Sequence, residues 1–95
     1  MILISFSFIG IELKAQSAKD LYKSGIASQK AGNYKEAVKQ FSAAINLKSD
    51  YTDAYFERAN SNFNLNQFEQ ALPDYIYLHR LTPLNESYII KASIT

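Results

Sequence analysis

Cysteine and tryptophan are both absent from these 95 residues. Without cysteine there is no disulfide, no thiolate metal site, no cysteine nucleophile and no lipid-bearing N-terminal cysteine. That absence carries no information about compartment. Glycine occurs only at positions 10, 25 and 32, so no glycine-rich loop exists to cradle a phosphate. Ten basic residues against nine acidic leave a formal charge of +1. A chain so nearly neutral has no polyanion-binding field, which argues against DNA or RNA as a partner. The single histidine, His79, has no second histidine or cysteine at ligand spacing, and reads as an ordinary helix side chain. Serine and threonine are plentiful but lack the histidine partner or strained elbow that activates a hydroxyl. These absences point away from catalysis and from cofactors.

What is present divides at Ser17. Ile2 to Ile11 hold seven large apolar residues, interrupted only by Ser5, Ser7 and Gly10. Ten helical residues span about 15 Å, half a bilayer core, too short for a stable membrane span. The run suits the apolar region of an export signal, and Ala15-Gln16-Ser17 supplies a small-x-small triplet before Ala18. No basic residue precedes the run, and Glu12 closes it. The competing reading is a strand or helix lying on the domain, since Ile4 to Phe8 alternate with period two. The first reading makes the protein exported (periplasmic, envelope or secreted). The second leaves it cytoplasmic.

After Ser17 a period of 34 residues organises the chain. Residues 18–51 and 52–85 align without a gap: Leu21 with Tyr55, Gly25 with Ala59, Tyr34 with Phe68, Ala37 with Ala71, Phe41 with Tyr75, Leu47 with Leu81 and Ser49 with Pro83. Large residues meet large and small meet small in nearly every pair. Each row predicts two helices and a tight turn. Helix A of the first row is expected over Ala18 to Ala31, with Ser17 as N-cap, Asp20 as its acidic companion and Gly32-Asn33 as the break. Helix B follows over Tyr34 to Leu47, its apolar stripe formed by Tyr34, Ala37, Val38, Phe41, Ala44 and Ile45. In the second row Asp50 or Thr52 caps a helix to about Leu65, Asn66-Gln67 turns the chain, and helix B spans about Phe68 to Leu81 before Thr82-Pro83.

This pattern resembles the tetratricopeptide repeat (TPR) family, with its 34-residue period and its small and aromatic signature positions. The resemblance rests on Gly25, Ala37 and Phe41 in the first repeat and on Tyr55, Ala59, Ala71, Tyr75 and Pro83 in the second. It implies an all-α fold, a TPR-type α-solenoid of antiparallel helix pairs. The expected organisation is an apolar leader or segment over 1–17, repeats over 18–51 and 52–85, and the start of a third repeat or a capping helix over 86–95.

Several positions depart from the family. Ser24 and Ser28 thin the interior of the first repeat. Pro73, inside the second helix B, deletes a backbone hydrogen bond and predicts a kink. Leu78 stands where the family prefers alanine. Glu86 to Thr95 read as most of a third helix A, with Ile89 and Ala92 toward the second repeat and Ile90 and Ile94 open. Two and a third repeats fall below the three usually needed for independent stability. The chain is therefore either a domain closed by one capping helix or a piece of a longer array.

The resemblance further implies a concave groove lined by the A helices, which receives a peptide or a helix of another protein. Its groove positions here are Lys19, Tyr22, Ile26, Gln29 and Lys30 from the first helix A, and Asp53, Phe56, Asn60, Phe63 and Asn64 from the second. Aromatic area, paired amide donors and acceptors, and the flank formed with Lys23 make a mixed surface. The opposing reading makes the lysines a solvated face and the aromatics packing residues. The family's chaperone-tail clamp corresponds to Tyr22, Ile26, Glu57, Ser87 and Lys91. Only Lys91 fits, so that function is not expected. Asp50, Asp53 and Glu57 could gather a hard cation, but Asp50 and Asp53 more simply complement a helix N-terminus. The expected function is a non-catalytic protein-interaction module. The alternative is a structural spacer, or a self-association module using the open C-terminal end, as part of a larger exported protein.

Overall fold

The computed structural model describes residues 2–81, with side chains from residue 12 onward. It contains four helices: α1 (Ile2–Lys30), α2 (Tyr34–Leu47), α3 (Thr52–Asn64) and α4 (Phe68–Leu81). Each helix packs on the next in chain order, and α1 also touches α3. The expectations for Ile90 and Ile94, for the segment 86–95 and for Lys91 lie outside the described residues.

The repeat is visible in the backbone itself. α1 and α3 end 34 residues apart, at Lys30 and Asn64, and each is followed by a residue with positive φ: Gly32 at 82° and Asn66 at 62°. The turn hydrogen bonds recur at the same offset. Gly32 N–H donates to the Gln29 carbonyl and Asn33 N–H to Ser28. Asn66 N–H donates to Phe63 and Gln67 N–H to Asn62. Both turns are thus Schellman caps, in which the crossed pair of bonds satisfies the last helical carbonyls. Glycine and asparagine are the two residues that enter the left-handed region most readily.

No atom lies within 4 Å of the position a Cβ would take on Gly32. Gly32→Ala should therefore cost about 1 kcal/mol from backbone strain alone, while Asn66→Gly should stabilise by a smaller amount. Urea denaturation of the two single variants checks both signs.

Burial follows the expected stripe. Ala37, Phe41, Ala44 and Ile45 of α2 meet Ala54 of α3 in one buried cluster, flanked by Leu21, Tyr22, Ile26, Tyr51 and Tyr55. A second cluster repeats the arrangement with Ala59, Ala71 and Tyr75, flanked by Phe56. Gly25 lies directly against the Phe41 ring, so the absent side chain is what lets α1 approach α2. The small residues set the helix spacing, and the aromatic rings fill what remains.

Three local expectations are corrected. Ser17 is no N-cap, because it is exposed inside α1, which begins at Ile2. The strand reading of Ile4 to Phe8 fails for the same reason. No proline lies within residues 2–30, and its two glycines, Gly10 and Gly25, do not end the helix. Asp20 instead accepts a bond from Gln16 Nε2 at 3.2 Å, one turn earlier on the same helix. Neither Asp50 nor Thr52 caps α3. The cap position is Tyr51, without a side-chain bond, and the Tyr51 carbonyl accepts from Ala54 and Tyr55 N–H. The Tyr55 hydroxyl holds the preceding loop by donating to the Ser49 carbonyl at 2.9 Å. Pro73 does stand inside α4, where its missing N–H leaves the Glu69 carbonyl without its helical donor. Ser28, in the thin interior of the first repeat, donates to Gln40 Oε1 at 2.7 Å.

Candidate functional site

Positions on α1 and α3 that follow one another at steps of three and four face the same side of the pair. The ten groove residues sort into three groups there. Tyr22, Ile26 and Phe56 are half-buried and pack on the cores. Tyr22 stacks on Tyr51 with centroids 5.2 Å apart and leans on Phe41 at 5.6 Å, while Phe56 meets the Tyr75 ring edge-on at 6.4 Å. Gln29 and Asn60 are half-buried and engaged in hydrogen bonds. Lys19, Lys30, Asp53, Phe63 and Asn64 are exposed.

A polar ladder crosses from α1 to α3 and on to α4. Gln29 Nε2 donates to the Glu57 carbonyl at 3.3 Å, to Glu57 Oε1 at 3.2 Å and to Ser61 Oγ at 3.1 Å. Asn60 Nδ2 donates to the same Glu57 Oε1 at 3.4 Å, and Asn60 Oδ1 accepts from the Tyr75 hydroxyl at 2.6 Å. Asn64 Nδ2 donates to the Asn60 carbonyl at 2.8 Å. The first-repeat glutamine thereby fixes the spacing of the two A helices, and the second-repeat asparagine ties helix A to helix B. Held on both sides, these side chains lose little entropy on meeting a ligand, which is what preorganisation means for binding.

Glu57 is the residue that sequence reasoning placed elsewhere. It was grouped with Asp50 and Asp53 or set against a bound carboxylate, yet it forms the middle rung of the ladder. Its charge also acts on two phenols. Burial pushes the Tyr22 hydroxyl up to about 12, with Glu57, Asp53 and then Tyr51 adding to it. Tyr75 is likewise pushed up to about 12 by burial, then by Glu57 and Asp74. The spacing Asp53, Glu57, Asn60, Asn64 runs at steps of three and four, so helical period alone puts Glu57 on this face.

Both phenols stay protonated in the folded chain at a pH where the unfolded chain, near 10, already ionises. The folded state then binds more protons, so stability is full below about pH 10 and falls as pH climbs toward about 12. Urea midpoints at pH 9 and about pH 11 should show that decline. Glu57→Gln should shrink it by removing the charge shared by both phenols.

Sequence reasoning also missed the strongest ion pair. Arg58 of α3 meets Asp74 of α4 in a bidentate pair, Nε to Oδ2 and Nη2 to Oδ1, both at 2.8 Å. Arg58 Nη1 also donates to Ser42 Oγ of α2 at 3.2 Å, and the guanidinium covers the Tyr55 ring at 5.4 Å. The hydrogen bond that Arg58 donates to Asp74 raises the Arg58 pKa against the opposing effect of burial. This cluster joins the two repeats on the side chains of three helices.

Among the described residues no three histidine, cysteine, aspartate or glutamate side chains gather around one point as metal ligands. Asp53 occupies the first turn of α3, where it complements the helix dipole. His79 is half-buried in the last turn of α4, and its Nδ1 has no hydrogen-bond partner among the described residues. An open hollow of about 520 Å³ runs along α1 beside Glu12, Leu13, Ala15, Gln16 and Lys19. It shares only Lys19 with the groove. No helix among the described residues is long and apolar enough to cross a membrane.

Residues 29–66 match the family model described as TPR repeat, a span running from the end of α1 through α2 and α3. With the two matching turns and the paired cores, this match supports a tetratricopeptide-repeat protein. The fold is the all-helical repeat solenoid of that family, whose members generally mediate protein–protein interaction. No curated protein aligns significantly with the chain.

Proposed function

We propose that this protein is a non-catalytic interaction module, and that the α1/α3 face receives a segment of another polypeptide. The supporting observation is the Gln29–Glu57–Asn60–Tyr75 ladder. It immobilises a polar strip beside exposed Lys19, Lys30, Asp53, Phe63 and Asn64. Phe63, 38% exposed and edge-on to Phe68 at 5.1 Å, supplies apolar area in a fixed orientation at low entropic cost. The exposed residues carry the recognition, and the ladder beneath them holds the shape.

The test separates the two layers. Cross-linking and affinity capture from the native host would compare the wild-type chain with Phe63→Ala/Asn64→Ala and with Lys30→Glu. Each variant should lose the same captured protein while melting within a few degrees of wild type, since surface changes rarely alter stability much. Retention of that protein by both variants would remove the groove assignment.

A second reading, a spacer or self-association module within a larger exported protein, draws on Phe68, Leu72 and Ile76. They are exposed at four-residue spacing along α4, an apolar stripe of the kind that marks contact surfaces. A sedimentation coefficient unchanged over a wide concentration range would count against self-association.

A further inference from the structure

α1 exceeds its counterpart by a defined segment. Shifting α3 (Thr52–Asn64) back by the 34-residue period gives residues 18–30, so the repeat accounts for the helix from Ala18 to Lys30. Residues 2–17 have no equivalent in the second repeat. Burial changes at the same bond. Glu12 through Ser17 are all exposed, Leu13 by 63%, whereas Ala18 is fully buried. Chemistry changes there too. The triplet Ala15-Gln16-Ser17 presents small side chains at the first and third positions before that bond, behind the apolar run Ile2 to Ile11. Period, burial and side-chain size are separate observations, and all three fall on the Ser17–Ala18 peptide.

We infer that residues 1–17 are an export leader removed by hydrolysis of the Ser17–Ala18 amide. The ten-residue apolar run, about 15 Å as a helix, enters a bilayer or translocation channel without forming a permanent span. The small-x-small triplet then meets a membrane-bound peptidase selective for such residues. The carbonyl carbon of Ser17 takes the hydroxyl of water, the C–N bond breaks, and the Ala18 nitrogen takes the proton. The products are a Ser17 carboxylate and an Ala18 ammonium, and no other reactant is consumed.

The fold dictates when the cut occurs. In α1 the bond is helical and Ala18 is enclosed, so a peptidase that binds extended chain acts before the first repeat folds. The mature chain then starts helix A where the second repeat starts its own. Asp20, now in mid-helix beside Gln16, becomes a first-turn acid as Asp53 is in α3.

The test is expression of the full chain, with a C-terminal affinity tag, in a host with a general secretory pathway. Intact-mass and N-terminal sequencing should find protein outside the cytoplasm beginning Ala18-Lys19-Asp20. Ala15→Arg and Ser17→Arg should abolish that species and leave the full-length chain at the membrane. Met1 retained on the wild-type chain, cleavage at a different bond, or unaltered cleavage of both arginine variants would each overturn the assignment.

Discussion

Arg58→Ala is expected to remove about 3 kcal/mol of stability, a large share of what a domain of this size possesses. The reason is what it leaves behind. Asp74 keeps only 8% of its side chain exposed and takes both carboxylate bonds from the one guanidinium. Deleting the arginine strands a buried charge, and it also frees Ser42 Oγ and uncovers Tyr55. Desolvating the pair offsets much of its attraction, so the loss measures the stranded carboxylate more than the strength of the pair. The double variant Arg58→Met/Asp74→Leu should accordingly lie much closer to wild type than either single loss, since no charge is left unpaired. A urea double-mutant cycle measures this. An Arg58→Ala penalty below about 1 kcal/mol would show that water reaches Asp74 freely.

The contact of Gly25 with Phe41 should matter as much. Phe41→Ala empties the centre of the first core and should cost about 3–5 kcal/mol. The Gly25 side is less intuitive. Alanine normally gains about 1 kcal/mol over glycine within a helix. Here a Cβ would sit 2.5 to 2.8 Å from the Cε1, Cδ1 and Cζ atoms of Phe41, a ring with no exposed surface. Either the ring or the helix must move, at about 1–3 kcal/mol, so Gly25→Ala should be net destabilising. Phe41→Leu should relieve it, making the two changes less than additive. Thermal and urea melts of the two single variants and the pair test this. A Gly25→Ala chain more stable than wild type would mean that α1 can shift away from α2 at little cost.

Both effects bear on how the fold was read. The small position at Gly25 and the aromatic at Phe41 were legible because each recurs, as Ala59 and Tyr75, one period later. The limits of α2 and α4 were legible too, since Gly32-Asn33 and Asn66-Gln67 leave the chain few ways to continue a helix. Ser17 misled, because a good capping residue ends nothing when its neighbours favour helix on both sides. Within the groove, residue type marked Tyr22, Gln29, Phe56 and Asn60 but could not say which would be turned inward. Tyr22 and Phe56 went to the cores, and Gln29 and Asn60 to the ladder.

The amino-acid order by itself therefore determined the period, the helix pairs, the left-handed turns and the small-against-aromatic seam. Each of these depends on neighbours a few residues apart or on exact recurrence. Tertiary structure alone decided that the charge of Glu57 acts on two phenols, that Arg58 finds Asp74 and Ser42, and that Gln29 braces the second repeat. The hydrogen-bonded partners among these stand 16 to 32 residues apart in the chain. Their meeting depends on how one helix rests on another, which local periodicity does not encode.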